Sequence, residues 1–343
     1  WVSIPSAELK SFYASGRTPI ENAEHSISTN EVVRALELAK ASHVTSDHYL
    51  VSAVPLGFEL DDSPEWVQNP IRMSAHTMKG HYQLMMLPIS TMQNLDRAMK
   101  GANITVEKMV VSCLATAEAS LLKDEKEYGV CLLDMGAGTT NLAVYLDGRL
   151  AMAETLQRGG EHVTRDIAAV LQTTTEEAER IKLLYGCVDL KVVKPDHMIQ
   201  IQGIDGPQTI SRIELSDIMI ARYEEILTQV REALERSGAI HGLYHGVVLT
   251  GDACQIEGMV SLVRRMLGIS AHLGNPPVQV YADEPYLASL RRSQYATAAG
   301  LLMFSQGDPQ ETLVETVDPE KLSFWKRAGR AWSGLNDKLK SIF

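Results

Sequence analysis

Residues 130–145 read VCLLDMGAGTTNLAVY, a short apolar run, a glycine-rich tip and a second apolar run. Val130–Leu133 and Leu142–Tyr145 have the composition of strands, so the segment predicts a hairpin. Asp147-Gly148 follows at once and leads into a third run, Leu150–Leu156. Asp-Gly between apolar runs is a strong signal for a second tight hairpin. A sheet must therefore lie at the centre of this part of the chain. The first tip is nearly free of side chains, which lets backbone N–H groups approach phosphate oxygens, and Thr139 and Thr140 add hydroxyl donors. Asp134, at the strand end, offers carboxylate oxygen to a hard cation such as Mg²⁺ through water. The pattern is not GxxxxGK[ST], so a P-loop is excluded; nor is it a GxGxxG that opens a helix, so a dinucleotide fold loses its context. Taken alone, the tip fits an ordinary hairpin turn equally well.

A second glycine turn follows about 115 residues later: the strand Gly246–Leu249, then Thr250-Gly251-Asp252, then a helix over Ile256–Leu267. Between the two turns, Gly159-Gly160 precede a helix from about Glu161 to Leu171, and another helix covers Thr175–Tyr185. A polar strand-like stretch, Met198–Gln208, leads into a long amphipathic helix, Leu215–Ser237. Upstream, residues 1–100 read as a small mixed α/β unit. Ser28 and Glu31 stand at capping-box spacing and open a helix that runs to about His43. Tyr49–Glu59 has strand composition interrupted by Pro55 and Gly57, Gly80–Pro88 has it too, and Ser90–Gly101 is a helix. A strand over Lys108–Cys113, a short helix over Ala115–Leu122 and a last helix over Pro285–Phe304 complete the pattern. No repeat with a period of 20–50 residues occurs.

Charge is unevenly spread. The chain of 343 residues carries −11 in all, which argues against a general nucleic-acid binder. Residues 321–343 hold Lys321, Lys326, Arg327, Arg330, Lys338 and Lys340 against Asp337 alone, so this tail is +5 and the rest of the chain −16. Asp308–Pro319 is polar and acidic and reads as a linker. Beyond it, Phe324, Trp325, Ala328, Trp332, Leu335, Leu339, Ile342 and Phe343 fall on one helical arc of about 100°, at roughly 100° per residue. Lys326, Arg327, Arg330, Lys338 and Lys340 take the opposite side. That division describes a helix lying in an anionic membrane interface, each cation adding about 1 kcal/mol. The alternative is docking on the body or on a partner groove. No run of 18 apolar residues is present. Cys113, Cys131, Cys187 and Cys254 show no CxxC spacing and read as buried, reduced thiols. The chain opens as though in mid-domain, so a preceding N-terminal portion is expected.

The order DMGAGTTNLAVY, RGGEHVTRDIA, TTTEEAERIKLLYG and GVVLTGDACQIEGM resembles the actin-like ATPase superfamily and, within it, the bacterial cell-division family FtsA. NPIRMSAHTM after VPLGFELDD is similar to that family's inserted 1C subdomain. The resemblance implies an α/β, actin-like (ribonuclease-H-like) two-lobed fold with that insertion and a C-terminal amphipathic helix. It also implies subdomain boundaries: 1C over 1–102 with a remnant of 1A at its start, the rest of 1A over 103–128 and 285–304, and 2A over 129–172 and 240–284. Subdomain 2B would cover 173–239, a linker 305–320 and the membrane helix 321–343.

The resemblance further implies that Gly136, Ala137, Gly138, Thr139 and Thr140 embrace the ATP phosphates, that Asp134 places Mg²⁺, and that Gly159 and Gly160 lie near the γ-phosphate. Glu179 and Lys182 would reach the ribose and adenine, although an i,i+3 charge pair explains them equally well. Gly251, Asp252 and Ala253 would form the floor under the adenosine. In the family pattern a first phosphate hairpin lies upstream of where this chain starts, and glycines stand at Ala137 and Asp252. A carboxylate at 252 opposes a polyphosphate unless a cation intervenes. Glu118 is the nearest candidate to orient water for hydrolysis, which would be slow at most. Arg222 and Tyr223, in ARYEEIL, are the candidate contacts for the C-terminal tail of the tubulin-like protein FtsZ; pairing of Arg222 with Glu225 is the alternative. The expected partners are FtsZ, further copies of the chain in filaments, anionic lipid, and other division proteins through 1C. The expected location is the inner face of the cytoplasmic membrane at the division site. Competing readings are a nucleotide-free pseudo-actin scaffold, such as a pilus-assembly protein, and a superfamily kinase or phosphatase.

Overall fold

The computed structural model describes residues 1–4, 8–22, 24–41, 47–274 and 292–306. The linker, the amphipathic tail and the first part of the last expected helix lie outside the described residues. The described residues divide into two units, those within 1–4 and 12–111 and those within 8–11 and 112–306.

In the first unit, β1 (Val2–Ile4) is followed by β2 (Lys10–Pro19), α1 (Thr29–Ala41), β3 (His48–Leu60), β4 (Trp66–Val67), β5 (Thr77–Pro88), α2 (Ile89–Gly101) and β6 (Met109–Val111). Strands β2-β5-β3-β4 form a four-stranded sheet in that order, and β1 pairs with β6 in parallel. The capping box that opens α1 forms as expected: Ser28 N donates to Glu31 Oε2 at 2.8 Å and Asn30 N to Ser28 Oγ at 3.2 Å. Pro55 and Gly57 do not break β3. The register shifts there instead, and Gly57 absorbs the irregularity at φ 150°. Alternation sends Phe58, Met78, Tyr82 and Leu84 into a core with Ala14, Val32 and Ala35. The chain packs so closely here that a Cβ on Gly16 would meet Ala35 O at 2.0 Å.

The second unit runs α3 (Ser112–Ser120), α4 (Lys123–Tyr128), β7 (Val130–Met135), β8 (Thr140–Leu146), β9 (Arg149–Leu156), α5 (Gly160–Val170), α6 (Thr175–Tyr185), β10 (Met198–Gly203), β11 (Gly206–Ser211), α7 (Arg212–Arg236), β12 (Val247–Thr250), α8 (Met259–Leu267), β13 (Ala271–Leu273) and α9 (Ala296–Gln306). Its sheet has the order β13-β12-β7-β8-β9, with β13, β12 and β7 parallel and β7-β8-β9 antiparallel. Asp147 and Gly148 both take positive φ, 51° and 72°, as a two-residue hairpin turn requires. The expected single strand at Met198–Gln208 is instead a hairpin, β10–β11, turned at Ile204-Asp205. The helix expected from Ile256 begins at Met259, after a 3₁₀ turn over Asp252–Gln255. One continuous core joins β7, β8 and β12 to Val163 and Ile167 of α5 and to Met219, Tyr223 and Leu227 of α7. All four cysteines are free and buried.

Candidate functional site

The two glycine turns meet because of strand register. β7 and β12 pair in parallel with Asp134 opposite Thr250, so the chain leaves both strands at the same end of the sheet, toward Gly136 from one and Gly251 from the other. Gly251 has φ +87°, and a Cβ there would stand 2.4 Å from Met135 O and 2.8 Å from Asp134 Oδ1. Only glycine satisfies both the backbone angle and the space.

The β7–β8 tip closes through Gly136 N donating to Thr139 O at 2.9 Å. The start of α5 is fastened to the same tip: Gly160 N donates to Gly136 O at 3.0 Å, and Glu161 N to Ala137 O at 2.8 Å. Thr140 Oγ1 donates to Arg158 O at 2.8 Å. The amides of Ala137 and Gly138 find no acceptor among the described residues, and both residues are exposed. These are donors left available to an anion.

Gly160 is the meeting point. Its Cβ position lies 3.2 Å from Ala253 Cβ, 3.7 Å from Lys182 Nζ and 3.8 Å from Gly136 O. Four segments of the sequence thus come within 4 Å of one backbone position: the hairpin tip, the Gly159-Gly160 turn, α6, and the turn after β12. Lys182 is buried and donates to Glu179 Oε2 at 2.6 Å, Thr164 Oγ1 at 2.8 Å and Gly160 O at 3.2 Å. It bolts α6 to the start of α5. Burial would raise the Glu179 pKa, but the bonds from Lys182 and Thr164 hold its carboxyl below the ordinary value.

Asp134 accepts from Asn141 Nδ2 at 3.3 Å. Burial pushes its pKa up, and the bonds from Asn141 and Thr116 only partly oppose that shift. A divalent cation nearby would favour its ionised form. Among the described residues no three His, Cys, Asp or Glu side chains converge to bind a metal directly. Asp252 is exposed on its 3₁₀ turn and bonded to Gln255 Nε2 at 3.4 Å.

One sequence expectation changes, and two further residues are paired within the chain. Tyr223 is fully buried and donates to Ala253 O at 3.4 Å; it belongs to the core and cannot touch a partner on the surface. Arg222 is committed internally: Nε lies 2.5 Å from Asp166 Oδ2, Nη2 lies 3.0 Å from Asp166 Oδ1, and Nη1 bonds Glu225. Glu118 pairs with Lys126 at 2.8 Å, so its carboxylate is already engaged. Sequence reasoning missed Thr164, Arg158 and Asp166. Arg158 stands beside Gly159, a local signal; nothing local marks Asp166, which meets Arg222 from 56 residues away.

A family model described as Cell division protein FtsA matches residues 131–300, and one described as the SHS2 domain inserted in FTSA matches residues 6–86. Cell division protein FtsA of Escherichia coli K12 is 30% identical over 304 residues, covering 85% of this chain and 70% of that protein. The Pseudomonas aeruginosa protein of the same name is 29% identical over 306 residues, 89% of this chain and 72% of its own length. Among solved structures, the PilM-PilN type IV pilus biogenesis complex matches with a TM-score of 0.60 at 17% identity, over 87% of this chain and 77% of that one. MreB5 of Spiroplasma citri bound to ADP matches with a TM-score of 0.51 at 17% identity, over 63% and 65%. These two likenesses concern the fold alone. The chain belongs to the FtsA family of cell-division proteins and carries an actin-like α/β fold with the family's SHS2 insertion.

Proposed function

We propose that this protein is a peripheral, self-associating adaptor that binds Mg–ATP and tethers FtsZ filaments to the inner face of the cytoplasmic membrane at the division site. The observation that carries the nucleotide reading is the convergence around Gly160 of four segments that are far apart in sequence. The Ala137 and Gly138 amides would receive phosphate oxygens, Asp134 would hold Mg²⁺ through water, and Ala253 would floor the adenosine. Lys182 and Glu179 would shape the wall rather than supply free charge, since each already neutralises the other. The bound cation would supply charge neutralisation at the phosphates. The sequence supports the tether through the tail, with Phe324, Trp325, Trp332, Leu335, Leu339, Ile342 and Phe343 on one face and Lys326 and Arg327 on the other. The subdomain boundaries would be those that the family resemblance implies, with 1C available to other division proteins. For the FtsZ tail, exposed Leu183 and Leu184 on α6, within the proposed 2B, replace Tyr223 as apolar contacts.

The test is calorimetry of Mg–ATP binding to the chain and to Asp252→Gly, beside sedimentation with anionic liposomes of the chain with and without residues 320–343. No heat from either protein at millimolar nucleotide sinks the nucleotide reading. Sedimentation that survives loss of the tail sinks the tether. One observation favours a second reading, a nucleotide-free scaffold: Asp252 puts a negative charge in the adenosine turn. Binding by Asp252→Gly alone would select that reading.

A further inference from the structure

The middle of α7 holds three parts of the candidate site at once. Arg222 makes a two-pronged bond to Asp166 on α5, at 2.5 and 3.0 Å. The next residue, Tyr223, donates to Ala253 O in the turn after β12. Glu225, one position before the next helical turn is complete, pairs with Arg222 and faces Arg158 Nε at 3.8 Å. Arg158 is the residue before Gly159, and its carbonyl accepts from Thr140 Oγ1. Every one of these partners sits within a few residues of a segment that meets at Gly160. Arg222 and Asp166 are only partly exposed, at 24% and 30% of their side chains, and a planar guanidinium gripping a carboxylate with two bonds fixes angle as well as distance.

We infer that Arg222, Tyr223 and Glu225 form a strut that sets the position of the Gly159-Gly160 turn, so that α7 and the candidate nucleotide site are mechanically coupled through the Arg222–Asp166 pair. The inference rests on the nucleotide reading for its functional meaning, but not for its geometry. These are positioning residues: they bond Asp166, Ala253 O and Arg158, and act through α5 and the turns on either side of Gly160. α7 spans 25 residues, so a push or pull on its exposed face would be transmitted to the phosphate turn, and closure of the turn would be felt along the helix. It follows that replacing Arg222 alters the site from behind, and a loss of partner binding in such a variant would not by itself identify a contact.

Hydrogen exchange of the nucleotide-free chain tests the strut directly. The Gly160 and Glu161 amides, bonded to Gly136 O and Ala137 O, report the fastening of the turn. In Arg222→Ala and Asp166→Asn they should exchange roughly two- to fivefold faster, the equivalent of about 0.4–1 kcal/mol for a partly exposed ion pair. The charge swap Arg222→Asp with Asp166→Arg should recover most of the protection, which a general loss of packing would not do. Tyr223→Phe should loosen the amide of Cys254 and, through Ala253 beside Gly160, speed exchange at Gly160 by less than Arg222→Ala does. Mg–ATP affinity, measured in parallel, should fall and recover with the same pattern. Unchanged exchange at Gly160 and Glu161 in both single variants overturns the strut whether or not nucleotide binds. Faster exchange without recovery in the swap overturns it as well. If exchange follows the pattern but no variant binds Mg–ATP, the strut stands and the nucleotide reading falls.

Discussion

The hairpin tip and the turn before α5 are packed backbone on backbone, and two glycines of that site separate this effect from all others. Gly159 has an extended backbone, φ −164° and ψ −165°, which alanine adopts freely. A Cβ there would nevertheless stand 2.5 Å from both Gly136 O and Ala137 O, against an ordinary contact of 3.4–4 Å. The tip must retreat by about 0.9 Å, and the bonds from Gly160 N and Glu161 N to those same two carbonyls stretch with it. Overpacking of that kind costs about 1–3 kcal/mol. Gly138, two residues away on the tip, has nothing within 4 Å of its Cβ position. Both replacements by alanine reduce the freedom of the unfolded chain equally, by about 0.4–1 kcal/mol, so that contribution cancels between them. Gly159→Ala should therefore be less stable than Gly138→Ala by about 1–3 kcal/mol. Urea denaturation followed by far-UV circular dichroism measures the difference. A gap below about 0.5 kcal/mol, or Gly138→Ala as the weaker variant, would refute the packing argument.

Gly251→Ala combines a positive φ with a 2.4 Å approach to Met135 O, so it should lower the thermal midpoint more than Gly159→Ala does; scanning calorimetry decides. Asp252→Gly should tighten Mg–ATP binding by roughly fivefold, for about 1 kcal/mol of repulsion removed at an exposed position, with the gain shrinking as salt rises. The folded-state pKa of Glu179 is depressed, so its stabilising contribution is present above the ordinary value of 4.5 and is lost as pH falls below it. The stability gap between the native chain and Glu179→Gln should thus close on acidification from pH 6 to pH 3, and a constant gap would contradict the Lys182 pairing. Burial pushes the thiols of Cys113 and Cys131 up to about 12, so a thiol reagent should label them only in denaturant.

Local chemistry was legible in the sequence. Ser28 with Glu31 and Asp147-Gly148 each carry their signal within four residues, and both formed as read. Alternation alone did not reveal β2, because Lys10–Pro19 mixes Ser, Gly and Thr with few large apolar residues. α4 stayed hidden for the opposite reason: KDEKEY is nearly all charged, and the helix is held by Glu125 accepting from Leu122 N. The turn at Ile204-Asp205 escaped because an exposed isoleucine suggested a continuing strand. At the site, the glycines identified the turns, but the fate of the charged residues depended on partners far away. Arg222 reads as a partner contact or as paired with Glu225 until Asp166 is beside it, and Tyr223 reads as a candidate contact until the turn after β12 covers it. Periodicity gives a residue's face; it does not say what the face meets.

The parallel pairing of β7 with β12 also dictates when the site can exist during synthesis. Asp134 must wait for Thr250, 116 residues later, and at roughly 5–20 residues per second that is about 6–23 s of translation. Over that interval β7, apolar at every position but Asp134, has β8 on one side and an open edge on the other. The nascent chain therefore passes through a stage in which β7–β9, α5, α6 and α7 are all outside the ribosome while the turn after β12 is not. Ribosome-bound chains arrested before residue 250 should expose that edge to trigger factor-like chaperones, and chains arrested well beyond it should hide it.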